Sequence, residues 1–256
     1  MSIIDAHTHP VMFKRGLTRP EVDRLVKHGR TLGVRWMVGL GDVLLYGRNF
    51  TAEQIVEVND DSAKVQAMYP DYFRFFCFLN PRLGEKAVMG EVERCVDKYG
   101  FIGIKLEICN NARDACMKPV MEAARRWKLV VLQHSWSQTN IRQRSFHTDP
   151  ADTATLARRH PDVPIIMAHL TGCGVRGVLE VKELDNVTVD TSGGLADEGL
   201  LEYAVEHLGA NRIIHGSDLP GRSIGVSIQR VLGSRLSVSE KERILFSNAA
   251  RLLNLG

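Results

Sequence analysis

Two histidines stand two residues apart near the start of the chain, in Asp5-Ala6-His7-Thr8-His9. Alternate side chains of a β-strand point to one side, so His7 and His9 can reach a single ion. Three more titratable residues sit at or next to the end of otherwise apolar runs. They are His134 after Val131-Leu132-Gln133, His169 after Ile166-Met167-Ala168, and Asp218 after Gly216-Ser217. One histidine on an apolar strand is ordinarily a core residue. Four histidines and an aspartate at the ends of four such runs read instead as a metal centre. Imidazole and carboxylate donors suit zinc first, with manganese, iron or nickel as alternatives. The other histidines have plainer places: His28, His160 and His207 lie in helices or at their ends. His215 has the parity opposite to Asp218 and is expected to face away from it. His147 falls in the loop after the fifth run, where it could reach a substrate.

These residues need strands to hold them, and the sequence supplies eight candidates. Short apolar runs at Ile3–His9, Val34–Asp42, Phe73–Asn80, Phe101–Ile108, Leu129–Trp136, Val163–Leu170, Val187–Gly193 and Arg212–Leu219 alternate with longer amphipathic stretches. Near-continuous apolar strands are those of a parallel sheet covered by helices. Thr18-Arg19-Pro20-Glu21 and Thr51-Ala52-Glu53-Gln54 read as capping boxes, and Asp149-Pro150 as an N-cap followed by proline. Met117, Val120, Met121 and Ala124 form a helical stripe. A final helix is expected to open at Ser239, with Ile244, Leu245 and Asn248 into Leu252 forming its packed stripe. Eight βα units with no linker favour one (β/α)₈ TIM barrel over residues 1–256, with catalytic groups at the C-terminal ends of its strands. An open doubly wound sheet lacks its G-x-G-x-x-G signature.

The bulk properties narrow the function. A chain of 256 residues is close to the usual length of such a barrel. Its net charge of +3 gives no ground for a nucleic-acid or membrane partner. Met1-Ser2-Ile3-Ile4-Asp5 has no basic stretch followed by an apolar run, so no secretion signal is expected, and no apolar run reaches membrane-spanning length. Five cysteines without a C-x-x-C pair fit reduced thiols, so a cytoplasmic location is expected.

The set His7-x-His9, His134, His169 and Asp218 resembles the amidohydrolase superfamily, in its amidohydrolase-related branch of metal-dependent hydrolases. Gly100-Phe101-Ile102-Gly103-Ile104-Lys105-Leu106, Met167-Ala168-His169-Leu170, Gly216-Ser217-Asp218-Leu219-Pro220 and Asn248-Ala249-Ala250-Arg251-Leu252 agree with it. The resemblance thus runs from the first strand to the last helix. It implies that His7, His9 and Asp218 bind one divalent ion, together with His134 or a residue of the fourth strand. It implies that His169 binds a second ion or orients substrate, and that Asp218 is the general base toward metal-activated water. On the fourth strand Lys105, Glu107 and Cys109 share a face. Some family members bridge two metals with a carboxylated lysine or a glutamate there, and Glu107 is the favoured bridging ligand. The alternative is an internal Lys105–Glu107 ion pair.

Around the site, Trp136 is expected to wall the pocket. Arg222, close after Asp218, is expected to grip an anionic group of a small-molecule substrate in a two-point contact. Arg142, Arg144 and His147 lie in the long loop after the fifth run. Cys109 and Cys173 stand at strand ends and read as packing residues. The leading expectation is hydrolysis of an amide, ester or lactone. The second is non-oxidative decarboxylation of a small carboxylic acid by the same ligands, as in resembling families. A non-catalytic binding barrel ranks last, because the ligand set is complete. Barrels of this kind are often homo-oligomers, although no segment signals an interface.

Overall fold

Each of the apolar runs forms a strand: β1 (Ile3–Thr8), β2 (Val34–Gly39), β3 (Phe73–Phe78), β4 (Gly103–Leu106), β5 (Val130–Gln133), β6 (Ile165–Met167), β7 (Val187–Asp190) and β8 (Ile213–Ile214). The structure, a computed structural model, describes residues 1–12, 16–137, 145–194 and 197–256. The strands are parallel and lie side by side in chain order in one eight-stranded sheet. The segment after β8 closes the ring onto β1. Ala6 N–H donates to His215 O at 2.9 Å, Asp218 N–H to His7 O at 2.8 Å and His9 N–H to Leu219 O at 2.6 Å. This is the (β/α)₈ barrel the sequence leads one to expect.

The strands are shorter than the apolar runs. Beyond them His9, His134, His169 and Asp218 have left the sheet, and the last two take left-handed backbone with φ of 70° and 64°. Hydrophobicity continues past the point where the chain turns, so the runs overstate the strands.

Helices α1 (Arg19–Thr31), α2 (Ala52–Met68), α3 (Glu85–Tyr99), α4 (Lys118–Trp127), α5 (Pro150–Arg159), α6 (Leu170–Val181), α7 (Leu200–Leu208) and α8 (Ile224–Leu232) follow the strands in turn. Thr51 caps α2 reciprocally with Gln54, and Asp149 caps α5 with Asp152 answering. Thr18 and Glu21 form the box of α1. The C-terminal helix opens two residues earlier than expected. Ser237 accepts from Glu240 N–H, and the Glu240 carboxylate accepts from Ser237 N–H. From there α9 (Val238–Glu242), a π-turn (Arg243–Ser247) and α10 (Asn248–Leu253) run on. Ile244 and Leu245 are buried as expected, whereas Leu252 is half-buried.

Two apolar layers result from the alternation. Ile104, Leu106, Val131, Met167, Val187 and Val189 pack outward against Val92, Val120, Met121 and Leu156 of the helices. Ile4, Ala6, Val38, Phe76, Leu132, Ile166, Ala168 and Ile214 fill the inside, with Leu253 and Leu255 packed against them. Each of the Val, Leu, Ile, Met and Phe side chains among them contributes about 1.5–3 kcal/mol on full burial. Lys105 lies between two outward-facing residues of β4, so it points inward, and it is 0% exposed.

Candidate metal centre

His7 and His9 meet through their rings, with the two Nε2 atoms 3.3 Å apart. Each tautomer follows from the other ring nitrogen. His9 Nδ1–H donates to the Gly41 carbonyl at 2.8 Å, since a carbonyl only accepts. His7 Nδ1–H donates to Asp190 Oδ2 at 2.8 Å. Burial pushes the Asp190 carboxyl up, but His7, His169 and Ser192 outweigh it and hold it well below the usual carboxylate range. Asp190 is therefore ionised and acts as an acceptor. Both Nε2 atoms then present lone pairs to each other, with no proton between them.

Asp218 Oδ1 adds a third donor, 3.6 Å from His7 Nε2 and 3.8 Å from His9 Nε2. Three converging lone pairs repel one another unless a cation or a proton sits among them. Burial, with the Lys105 charge next, holds the His9 pKa well below the ordinary histidine value, which disfavours a proton on His9. Donors about 2.1 Å from a tetrahedral ion stand about 3.4 Å from one another, so these separations fit a divalent ion with little adjustment.

A second group adjoins the first. His169 Nδ1–H donates to Ser192 Oγ at 2.8 Å, and the Ser192 hydroxyl donates to Asp190 Oδ1. That leaves His169 Nε2 with a lone pair, 3.1 Å from His134 Nδ1. His134 Nδ1 also lies 2.8 Å from Glu107 Oε1, and Glu107 Oε2 lies 2.8 Å from Lys105 Nζ. Burial raises the Glu107 carboxyl, but His134 and Lys105 overcome this and hold it well below its ordinary value. The internal Lys105–Glu107 pair is thus present, and Glu107 also faces His134.

Left-handed backbone at His169 and Asp218 costs about 1–2 kcal/mol per residue. The cost is met locally at His169, whose carbonyl accepts from Gly172 N–H and Cys173 N–H at 2.8 Å each. Such strain is typical of functional positions. Burial raises the Asp218 carboxyl, with the His7 and Lys105 charges acting against it.

The Trp136 ring meets His169 edge-on at 5.6 Å. A Cβ on Gly172 would come within 2.4 Å of the indole, so glycine there makes room for it. His147 is half-buried, and burial with the charges of His134 and Arg48 lowers its pKa. Arg222 is exposed and docked on backbone, its Nε–H donating to Gly193 O and its Nη1–H to Gly221 O. Arg142 and Arg144 lie outside the described residues. Burial pushes the Cys109 thiol up to about 12 and holds the Cys173 thiol well above its ordinary value, so both are protonated packing residues. His160 pairs with Arg125 and His207 stacks on Tyr203, away from the centre.

Asp190 was missed by sequence reasoning. It accepts from His7, from the His169 and Ser192 backbone N–H groups, and from the Ser192 hydroxyl. It stands at the end of apolar β7, the same signal that marked His134 and His169. A third cluster, Cys77, Glu91 and Cys95, lies on the helix side of the barrel, where Arg94 and Asn59 already occupy the Glu91 carboxylate.

The model of the amidohydrolase family matches residues 4–255. No curated protein matches the chain. Among solved structures, 2,6-dihydroxybenzoate decarboxylase from Rhizobium superposes with a TM-score of 0.77 at 18% identity, covering 100% of this chain and 99% of that one. The 5-carboxyvanillate decarboxylase of Sphingomonas paucimobilis gives 0.75 at 16% identity, covering 100% of both. A dihydroxybenzoic acid decarboxylase from Polaromonas sp. JS666, with bound manganese and the inhibitor 2-nitroresorcinol, gives 0.74 at 18% identity, covering 99% of this chain and 97% of that one. At these identities the likeness establishes the fold. No helix among the described residues is long and apolar enough to cross a membrane.

Proposed function

The chain belongs to the amidohydrolase family, and on that premise we propose that residues 1–256 form one barrel domain that decarboxylates a small carboxylic acid with a divalent ion. The observation that carries this reading is the convergence of His7 Nε2, His9 Nε2 and Asp218 Oδ1, 3.3–3.8 Å from one another. His134, His169 and Glu107 adjoin that place and are the donors a second ion would use. The decarboxylase neighbours support lyase chemistry over the hydrolysis that the sequence alone favours. The Polaromonas neighbour supports manganese beside zinc as the ion.

When bound, the ion supplies electron withdrawal from the substrate oxygens near the departing carboxylate. The chain's own residues do the rest. Asp218, beside the ion, passes a proton from solvent to the carbon as the C–C bond breaks. The balance is R–COO⁻ plus H⁺ giving R–H and CO₂. His169, neutral through burial and fixed by Ser192, offers Nε2 as an acceptor that orients substrate. Trp136 keeps water from one side of the pocket. Arg222 and His147 bind the substrate's outer anionic group at the mouth.

The same raised Asp218 carboxyl can take a proton from water, which is what hydrolysis of an amide, ester or lactone requires. That is the second reading. A panel of aromatic and unsaturated carboxylic acids, assayed with manganese or zinc in D₂O, separates the two. Decarboxylation releases CO₂ and leaves one deuterium at the former carboxyl carbon. Turnover of amides or lactones without CO₂ from any acid would favour hydrolysis and overturn the first reading.

A further inference from the structure

We propose that the Lys105 ammonium stands in for a second metal ion and limits the centre to one. The inference rests on the reading of His7, His9 and Asp218 as the holders of the first ion. Lys105 projects into the barrel from the middle of β4 and is fully buried. Its Nζ lies 2.8 Å from Glu107 Oε2 as a charge pair, without the alignment of a hydrogen bond.

The other Glu107 oxygen faces His134 Nδ1 at 2.8 Å, and that nitrogen lies 3.1 Å from His169 Nε2. Glu107, His134 and His169 are the donors a second ion would need. Here they are satisfied without one: a proton lies between His134 and Glu107, and the ammonium covers the remaining carboxylate oxygen. A second ion would have to displace both.

The charge count agrees. Three buried or half-buried carboxylates, Asp190, Asp218 and Glu107, surround the centre. One divalent ion and Lys105 balance them. A second divalent ion would leave an uncompensated double positive charge where water cannot screen it, which is strongly disfavoured.

The test counts ions in the full chain. Metal-free protein is equilibrated with excess Mn²⁺, with and without bicarbonate, then desalted and measured by elemental analysis and electron paramagnetic resonance. The wild type is expected to hold one ion per chain under both conditions. Lys105→Met removes the charge and keeps the stem, and is expected to admit a second ion with a spin-coupled manganese signal. Lys105→Gln serves the same count if Lys105→Met does not fold, as judged by circular dichroism. The double variant Lys105→Met/Glu107→Gln is expected to return to one ion. Two ions in the wild type overturn the inference and leave the reading of the first ion standing. They would do so most directly if the second depended on bicarbonate, which would carboxylate Lys105 to a bridging carbamate with loss of one water and a proton. One ion in folded Lys105→Met overturns it as well. No ion in the wild type overturns both the inference and the reading beneath it.

Discussion

Replacing Asp190 with asparagine should invert the proposed metal ligand His7 without touching it. Asp190 Oδ1 accepts from His169 N–H at 3.1 Å, from Ser192 N–H at 2.9 Å and from the Ser192 hydroxyl. Three donors hold an acceptor at that position, so the amide oxygen of the introduced side chain must take it. The amide NH₂ then falls where Oδ2 now receives the His7 Nδ1–H at 2.8 Å. Two donors cannot face each other, so His7 must move its proton to Nε2. That atom faces His9 and Asp218, and one of the three converging lone pairs is lost. Substitutions of groups that orient ligands cost about 10–100-fold in metal affinity, or ~1.4–2.8 kcal/mol. Because the donor atom itself is lost, Asp190→Asn belongs at the upper end, about 100-fold. Zinc affinity is measured by competition with a chromophoric chelator, with circular dichroism confirming the fold. A folded variant weakened by less than about threefold, ~0.7 kcal/mol, would refute the tautomer argument.

Three other substitutions probe separate parts of the account. Burial draws His215 down to about 4, against about 6.5 in an unfolded chain. Its stability contribution is therefore intact above pH 6.5 and falls by about 3 kcal/mol as pH drops toward 4. His215→Met should flatten that part of the urea-unfolding profile of metal-free protein, and an unchanged slope would contradict the assignment. Gly172→Ala puts a methyl within 2.4 Å of the Trp136 ring. It should shift tryptophan fluorescence and lower kcat by about tenfold or more at unchanged metal content; native fluorescence and kcat would remove Trp136 from the pocket wall. Arg222→Ala should raise KM for acidic substrates by about tenfold with little change in kcat, and an unaltered KM would take Arg222 out of substrate binding.

The barrel is legible because each run of Val, Ile, Leu and Phe alternates between an outer face against helices and an inner face. His134, His169 and Asp218 stand out because polar residues interrupt those runs at their ends. What local sequence hides is pairing across the ring. His7 and Asp190 are 183 residues apart, and only the sheet's closure brings them into contact. Asp190 itself satisfied the rule that singled out the other site residues, so its omission was one of application. The left-handed backbone at His169 and Asp218 was not legible, since neither residue type demands it. The early start of α9 turns on Ser237 against Ser239, two residues alike in propensity. Only the reciprocal bonds with Glu240 distinguish them. Whether Glu107 faces an ion or Lys105 depended on side-chain geometry that periodicity leaves open.

The central claim is that His7, His9 and Asp218 hold a divalent ion. Anomalous diffraction at the manganese edge from crystals equilibrated with Mn²⁺ tests it most directly. The account predicts a strong peak bounded by His7 Nε2, His9 Nε2 and an Asp218 carboxylate oxygen, absent from crystals of His7→Ala/His9→Ala protein. No peak at that place in the wild type, or one that survives in the double variant, would contradict it.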